Sequence, residues 1–434
     1  MLPPDHPQRR ILADEVHARP PEVLETPLRA TYIAILIDAA ERAREHAHVA
    51  ALCEQHGVAP PPVDATQFSA QLGSLRFRWE RHGEFSAYTV FAPGLSPRPY
   101  TEPAAVRLPQ GWLAALPGIT IVAAHAKLVP AASALPDAAT LAEHFDGNIV
   151  IGAEIGEGVG LAYTDFRIHA DGYARFLVCD RSLTSRQAGR MLQRLFEIET
   201  YRMMALLALP VARAQWPRTL EVDASLAALT RRIAADDRDD DDEDLLHELT
   251  RLAAQVEGEL TASQFRFGAC SAYHALVLAR IAELRERRLP GVQTIEEFMA
   301  RRLNPAVETC ATVSRRLHDL SERVAKVSAL LSTRIDIKRE RQNQALLSSM
   351  DRRARMQLRL QQTVEGLSLA AIVYYVVGLL GYLAKAGRAG GLPIEPDEVV
   401  GIAIPVVAVL ALLTLRRARR RLKQEESGAE PGHR

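Results

Sequence analysis

The stretch Gly366–Ala384, GLSLAAIVYYVVGLLGYLA, decides how this chain is built. It carries no charge, and nine of its nineteen positions are Leu, Ile or Val. At roughly −0.4 kcal/mol each on an insertion scale, those nine supply about −4 kcal/mol toward a bilayer. Nineteen residues of helix reach about 28 Å, close to the hydrocarbon thickness. A second uncharged run, Val399–Leu415 (VVGIAIPVVAVLALLTL), follows a Gly/Pro-rich loop and contains Pro405. Two such runs predict a transmembrane hairpin, with the lipid bilayer as its first partner, rather than a buried hairpin in a soluble domain.

The flanking charges set an orientation. Arg352, Arg353, Arg355 and Arg359 precede the first run; Arg416, Arg417, Arg419, Arg420, Arg421 and Lys423 follow the second. The connecting loop holds Lys385 and Arg388, then the acidic Glu395, Asp397 and Glu398. The excess of base on the two outer flanks predicts that both termini are cytoplasmic.

Upstream of the hairpin, Leu303, Cys310, Leu317, Val324 and Leu331 recur at seven-residue intervals, with Ala306, Val313, Leu320 and Val327 at the matching d positions. This is the seam of a coiled coil or of a long packed helix. From Ala306 to Glu365 there is neither Gly nor Pro, so a stalk helix of roughly 90 Å is expected. So long a helix needs neighbours, either in the same chain or in further copies of it. Ahead of the stalk, Leu245–Leu289 reads as helix with weak points at Gly258 and Gly268, and stops at Pro290-Gly291. Thr294 and Glu297 make a capping box for the next helix. The run Asp236–Asp244 (DDRDDDDED) reads as a solvated loop, or as an electrostatic sink for divalent cations or a basic partner.

The N-terminal part alternates strand and helix signals. Strands are expected at Leu75–Arg81, Glu84–Phe91, Ile119–Ala124, Asn148–Glu154 and Leu161–Ala170. FRIHA-DG-YARFLV predicts a hairpin with a type I′ turn at Asp171-Gly172, and LRFRWER-HG-EFSAYTVF a second hairpin near Gly83. Asp38–Gln55 reads as a helix capped by Asp38 and closed by Gly57, and Ser185–Leu209 as a helix ended by Pro210. The expected fold is therefore an α+β N-terminal cytosolic domain with a largely antiparallel sheet (1–210). A helical region follows (211–365, with a stalk from about 294), then the transmembrane hairpin (366–415) and a basic cytosolic tail (416–434).

The composition excludes several classes. Across 434 residues, 53 Lys and Arg balance 53 Asp and Glu, so no nucleic-acid partner is expected. Hydrophobic residues at 48% exclude a wholly disordered chain. The four cysteines include no Cys-x-x-Cys pair, which argues against a structural zinc site and for reduced, buried thiols. No secretory signal opens the sequence. No phosphate-binding loop, His-Glu-x-x-His or Gly-x-Ser-x-Gly motif is found. Gly156, Gly158 and Gly160 precede a strand, so they read as a hairpin loop and not a dinucleotide site. His46 and His48, two apart on a helix, face different sides. His82, His125, His144 and His169 have no partner in the local sequence and read as structural. The densest short segment is ADEVHARP (13–20), where Glu15, His17 and Arg19 either line a polar pocket or hold an arm by salt bridges. No catalytic residue and no cofactor is expected, and an enzyme is not the favoured reading.

ADEVHARP, LRFRWERHGEFSAYTVF (75–91), TDFRIHADGYARFLV (164–178), RQAGRMLQRLFEIETYRMMALLALPVAR (186–213) and MQLRLQQTVEGLSLAAIVYYVVGLLGYLAKA (356–386) together resemble a bacterial family of membrane-anchored proteins defined by a domain of unknown function. That resemblance runs end to end and implies an inner-membrane address without a reaction. The order of parts over roughly 240–424 also resembles the CorA-type divalent cation transporters. In those, a homopentamer lines its pore with the first span, and an acidic loop follows a Gly-Met-Asn signature. Here Glu395, Asp397 and Glu398 would correspond to the cation-attracting loop, while the signature is replaced by Gly381-Tyr382-Leu383-Ala384, so no residue carries over as a selectivity filter. Tyr374, Tyr375, Gly378, Gly381 and Tyr382 would form the span interface or pore face. The resemblance implies a homo-oligomer that moves or senses cations, with a divalent cation as its ligand; the alternative is a non-conducting anchor whose cytosolic domain binds a partner or ligand.

Overall fold

The computed structural model describes residues 3–10, 12–13, 20–131, 135–235, 242–389 and 395–427. The chain divides into two compact units, Met1–Leu331 and Ser332–Arg434.

The first unit is built on a nine-stranded sheet. Its strands are β1 (Leu28–Leu36), β2 (Gln67–Leu72), β3 (Leu75–Arg81), β4 (Phe85–Pro93), β5 (Ile119–Pro130), β6 (Ile151–Ile155), β7 (Gly160–Thr164), β8 (Ala174–Asp180) and β9 (Arg287–Arg288). Their order is β2-β3-β4-β1-β5-β8-β7-β6-β9. Every pairing is antiparallel except β5 with β8, which is parallel. The sheet is thus mostly antiparallel, as expected, with one parallel join at its centre. That join needs a crossover, here the segment carrying α2, β6 and β7.

The helices are α1 (Arg42–Gln55), α2 (Ala138–Phe145), α3 (Ser185–Leu206), α4 (Ala208–Ala235), α5 (Asp242–Leu284), α6 (Ile295–Arg302), α7 (Asn304–Ala389) and α8 (Pro396–Ser427). Alternation along the strands sorts side chains onto two faces. On one face the small residues Ala30, Ala34, Ala87, Ala124 and Ala126 let α3 sit close, with Leu192, Leu195 and Phe196 filling the layer together with Phe176 and Val178. On the other, Phe77, Trp79, Tyr88 and Val90 pack under α1 through Val49, Leu52 and Cys53. A smaller cluster of Phe145, Leu161, Tyr163, Leu177 and Cys179 lies under α2.

Within this unit the heptad seam is satisfied by the same chain. Leu303, Cys310, Val313, Leu317, Leu320, Val324 and Leu331 are buried. Arg316 (3.0 Å) and Arg323 (2.5 Å) of α7 both bond Asp223 of α4, and Cys310 shares a buried cluster with Cys270 of α5.

Several local expectations are corrected. The loop after β7 is not a tight type I′ hairpin. Strand pairing stops at Thr164, Phe166 takes a left-handed φ of 51°, and at the turn Gly172 has positive φ while Asp171 does not. The turn is closed instead by the Gly172 N–H donating to His169 O at 2.9 Å. Pro210 does not end a helix; it sits in the first turn of α4, where a missing N–H costs nothing. Asp38 is extended but its side chain caps nothing. β5 runs six residues beyond the expected Ala124, because His125 and Lys127 interrupt the apolar pattern without interrupting the strand. The capping box of Thr294 and Glu297 is present at α6, with reciprocal bonds of 3.1 and 3.3 Å. Of the acidic run, Asp236–Asp241 lies outside the described residues, and Asp242, Glu243 and Asp244 form the first turn of α5, where acid favours the helix dipole.

Candidate functional site

The second unit holds the two apolar helical segments, the C-terminal part of α7 and Pro396–Thr414 of α8. Both are long and apolar enough to cross a membrane. Leu367, Ile372, Leu379, Leu383, Ile402, Val406, Leu410 and Leu413 are all exposed, and so many large apolar side chains open on two helices favour membrane association. Two stripes on α7 do different jobs. Val377, Gly381 and Ala384, spaced by four and three, are buried. A Cβ on Gly381 would meet the Val400 side chain at 3.0 Å, so Gly381 lets the two helices of the hairpin approach. Tyr374, Gly378 and Tyr382, four apart, are exposed, and a Cβ on Gly378 would meet nothing within 4 Å. Tyr374, Tyr375, Gly378, Gly381 and Tyr382 all line one groove of about 840 Å³, which Lys385 and Asp397 also reach. Of the acidic loop residues, Glu395 is held by Arg388 at 3.0 Å, and Asp397 and Glu398 are exposed.

Glu15, His17 and Arg19 lie outside the described residues. The arm that follows them is held by charge. Pro20 O accepts from Arg78 (2.6 Å), Glu22 accepts from Ser69 Oγ (2.6 Å) and pairs with Arg76, and Arg78 pairs with Glu80 (2.7 Å). The arm backbone crosses α3 at Gly189, where a Cβ would fall 1.8 Å from Glu22 O. Glycine is therefore required there by close approach.

A third constellation has no signal in the local sequence. On the β5–β8 face under α2, register aligns His125 with Arg175 and Lys127 with Leu177. His125 is stacked on Tyr173 with ring centroids 3.8 Å apart, and its Nδ1 lies 3.1 Å from Thr31 Oγ1. Burial pushes its pKa down to about 4. Lys127 Nζ lies 3.4 Å from His144 Nε2, and His144 Nδ1 donates to Thr140 O at 2.8 Å, which leaves Nε2 as an acceptor. Burial lowers the pKa of both Lys127 and His144. The Tyr100 ring lies 5.8 Å from the Lys127 ammonium and 5.1 Å from the Arg175 guanidinium. Arg175 bonds Asp146 (3.0 Å) and His144 O (2.9 Å). Asp146, the left-handed C-cap of α2, also bonds His169 Nδ1 at 2.9 Å, and that bond, with Arg175 beside it, holds the Asp146 carboxyl below the usual carboxylate range. His169 Nε2 stands 3.0 Å from Asp165 Oδ2, though without hydrogen-bond geometry, and Asn148 donates to the same oxygen at 2.9 Å.

Of the histidines with no partner in the local sequence, His125, His144 and His169 thus converge, while His82 lies elsewhere, stacked on Phe85. His46 and His48 cap loop carbonyls of Pro61 and Trp112. Among the described residues no group of three or more His, Cys, Asp or Glu side chains could hold a metal ion.

A family described as "Protein of unknown function (DUF3422)" matches residues 4–422, nearly the whole sequence. The chain belongs to this family. The DUF3422 match takes in the sheet, the helices packed on it and both apolar segments, so the sheet and the hairpin are parts of one family unit. No curated protein and no solved structure matches the chain.

Proposed function

We propose that this DUF3422 chain is an integral protein of a bacterial inner membrane, anchored by its C-terminal hairpin with both termini cytoplasmic, and that it assembles into a homo-oligomer through the first span. The observation that carries this reading is the open stripe of Tyr374, Gly378 and Tyr382 beside the closed stripe of Val377, Gly381 and Ala384. In hydrocarbon, helices associate through close backbone approach at small residues and through hydrogen bonds between polar side chains. The closed stripe is already used within the hairpin. The open one offers a glycine flanked by two tyrosine hydroxyls, and a second copy of the same helix suits it. The arginines flanking the hairpin support the orientation. Such an anchor holds the sheet domain at the cytoplasmic face of the membrane.

A second reading, movement or sensing of cations by such an assembly with a CorA-like build, is favoured by Asp397 and the tyrosines sharing one groove. One set of experiments separates the readings. Gly378→Cys should crosslink between copies in native membranes, whereas Gly381→Cys, facing Val400, should not. A monomer mass for the detergent-purified protein, or equal crosslinking at both positions, would refute assembly through this stripe. Flux of Mg²⁺ in proteoliposomes, abolished by Asp397→Asn, supports the second reading; an assembled protein without flux leaves the anchor.

A further inference from the structure

The cavity between α2 and the outer face of β5 and β8 lies wholly within the first unit, so its chemistry is independent of the membrane anchor. It has a volume of about 500 Å³, within the range of small-molecule sites. Its walls are mostly apolar, from Val129, Leu135, Leu161, Leu177 and Cys179, and Lys127 and His144 line it as well.

Lys127 is the anomaly. The residue is 7% exposed, yet among the described residues its ammonium meets only His144 Nε2, at a long 3.4 Å, and the face of Tyr100. No described carboxylate lies within ion-pair distance of it. The neighbouring cation, Arg175, is neutralised by Asp146 at 3.0 Å and Asp171 at 3.9 Å. Burying a charge without a counter-charge is costly, and Lys127 retains two N–H donors after serving His144. Glu143, exposed on α2, acts on Lys127 only from beyond ion-pair distance. A buried ammonium with no acid in contact among the described residues, beside an apolar cavity, is arranged to receive an anion.

The surroundings narrow which anion. A phosphate dianion calls for several donors, such as an Arg fork or a run of free helix N–H groups. Here one ammonium is on offer. The N-terminus of α2 is already occupied, because the Asp137 side chain caps it by accepting from Thr140 N at 2.8 Å. Asp137 also lines the cavity, and the Thr140 bonds hold its carboxyl below the usual carboxylate range, so a negative charge stands at the rim. That charge disfavours a second negative charge in the ligand. We infer that this cavity binds a monocarboxylate with an apolar tail, the carboxylate on Lys127 Nζ and the tail against Val129, Leu161 and Leu177.

Calorimetric titration of the full chain in lipid nanodiscs tests this, with sodium hexanoate as the probe and 1-hexanol and inorganic phosphate as comparisons. Saturable binding of hexanoate is expected, with hexanol weaker by about tenfold or more, since it lacks the charge that Lys127 receives. Phosphate should not compete. Lys127→Met keeps the aliphatic stem, removes the charge and controls for partition into the lipid; it should cost hexanoate about tenfold or more in affinity. Equal affinity for hexanol, competition by phosphate, hexanoate binding unchanged in Lys127→Met, or no saturable heat into the millimolar range would each overturn the assignment. Tryptophan fluorescence melting reports whether Lys127→Met folds. If it does not, the ranking of the three probes on the native chain still decides.

Discussion

Acid should destabilise the sheet domain through one histidine. His125 is 3% exposed, stacked on Tyr173, with Thr31 Oγ1 at its Nδ1. The Thr31 hydroxyl oxygen already accepts from the Ala105 N–H at 3.2 Å, so its proton is available to Nδ1 and the ring is held neutral. Burial, with a smaller contribution from Arg175, outweighs the pull of Asp171 and takes the ring from an ordinary 6.5 to about 4. The folded pKa is thus depressed. Above the unfolded value neither state binds the proton and stability is whole. As pH falls below 6.5 the unfolded chain gains a proton that the folded chain refuses, and stability drains until the folded ring also titrates near 4. A shift of this size corresponds to about 3 kcal/mol in the limit, of which about 2 kcal/mol is lost by pH 5. Urea unfolding of the detergent-solubilised chain, followed by the buried Trp79 and Trp112, measures it at pH 7 and pH 5. His144 shifts in the same direction, so the comparison is with His125→Gln, which retains a hydrogen-bond acceptor but cannot charge. The native chain should lose about 2 kcal/mol more than the variant over this interval. Equal losses would refute the picture of a buried, neutral ring.

Three further outcomes rest on other packing details. Gly189→Ala drives a Cβ into Glu22 O, so it should cost about 1–3 kcal/mol in unfolding free energy and expose the arm to limited proteolysis near Pro20. Glu45, fully buried, accepts from Trp79 Nε1 (2.9 Å) and Tyr88 OH (2.7 Å) and pairs with Arg42 (3.3 Å). Glu45→Ala should therefore cost about 3–5 kcal/mol in the same unfolding assay, because it takes the acceptor from Trp79 Nε1 and Tyr88 OH under α1 and the counter-charge from Arg42. Thr294→Ala removes one half of the capping box of α6 and should cost about 1 kcal/mol, while Thr294→Ser stays near the native value.

Features that rest on near neighbours in the chain were legible from residues alone. The hairpin of β3 and β4, the α6 capping box, the burial of the heptad seam and the two apolar runs all follow from periodicities or short motifs, because helix and strand repeats act over a few residues. Where two local rules competed, the reading failed. The Asp171-Gly172 pair suggests a tight turn, but Phe166 and the His169 pairings hold the preceding segment off the ladder. Pro210 suggests a helix end, yet a first-turn proline needs no donor.

By itself the sequence determined a sheet-bearing domain followed by long helices and a pair of apolar segments, since apolar patterning and charge act along the chain. Only tertiary structure decided which helix satisfies the heptad seam, and which stripe of the first apolar segment stays open. It also brought His125, Lys127, His144, His169 and Arg175 to one place. Those five come from β5, α2, the loop before β8 and β8 itself, and the parallel pairing of β5 with β8 that aligns them is made across a crossover of more than forty residues. No local period encodes such a pairing. The zero net charge of the chain likewise gives no hint that one buried lysine has no acid within ion-pair distance among the described residues.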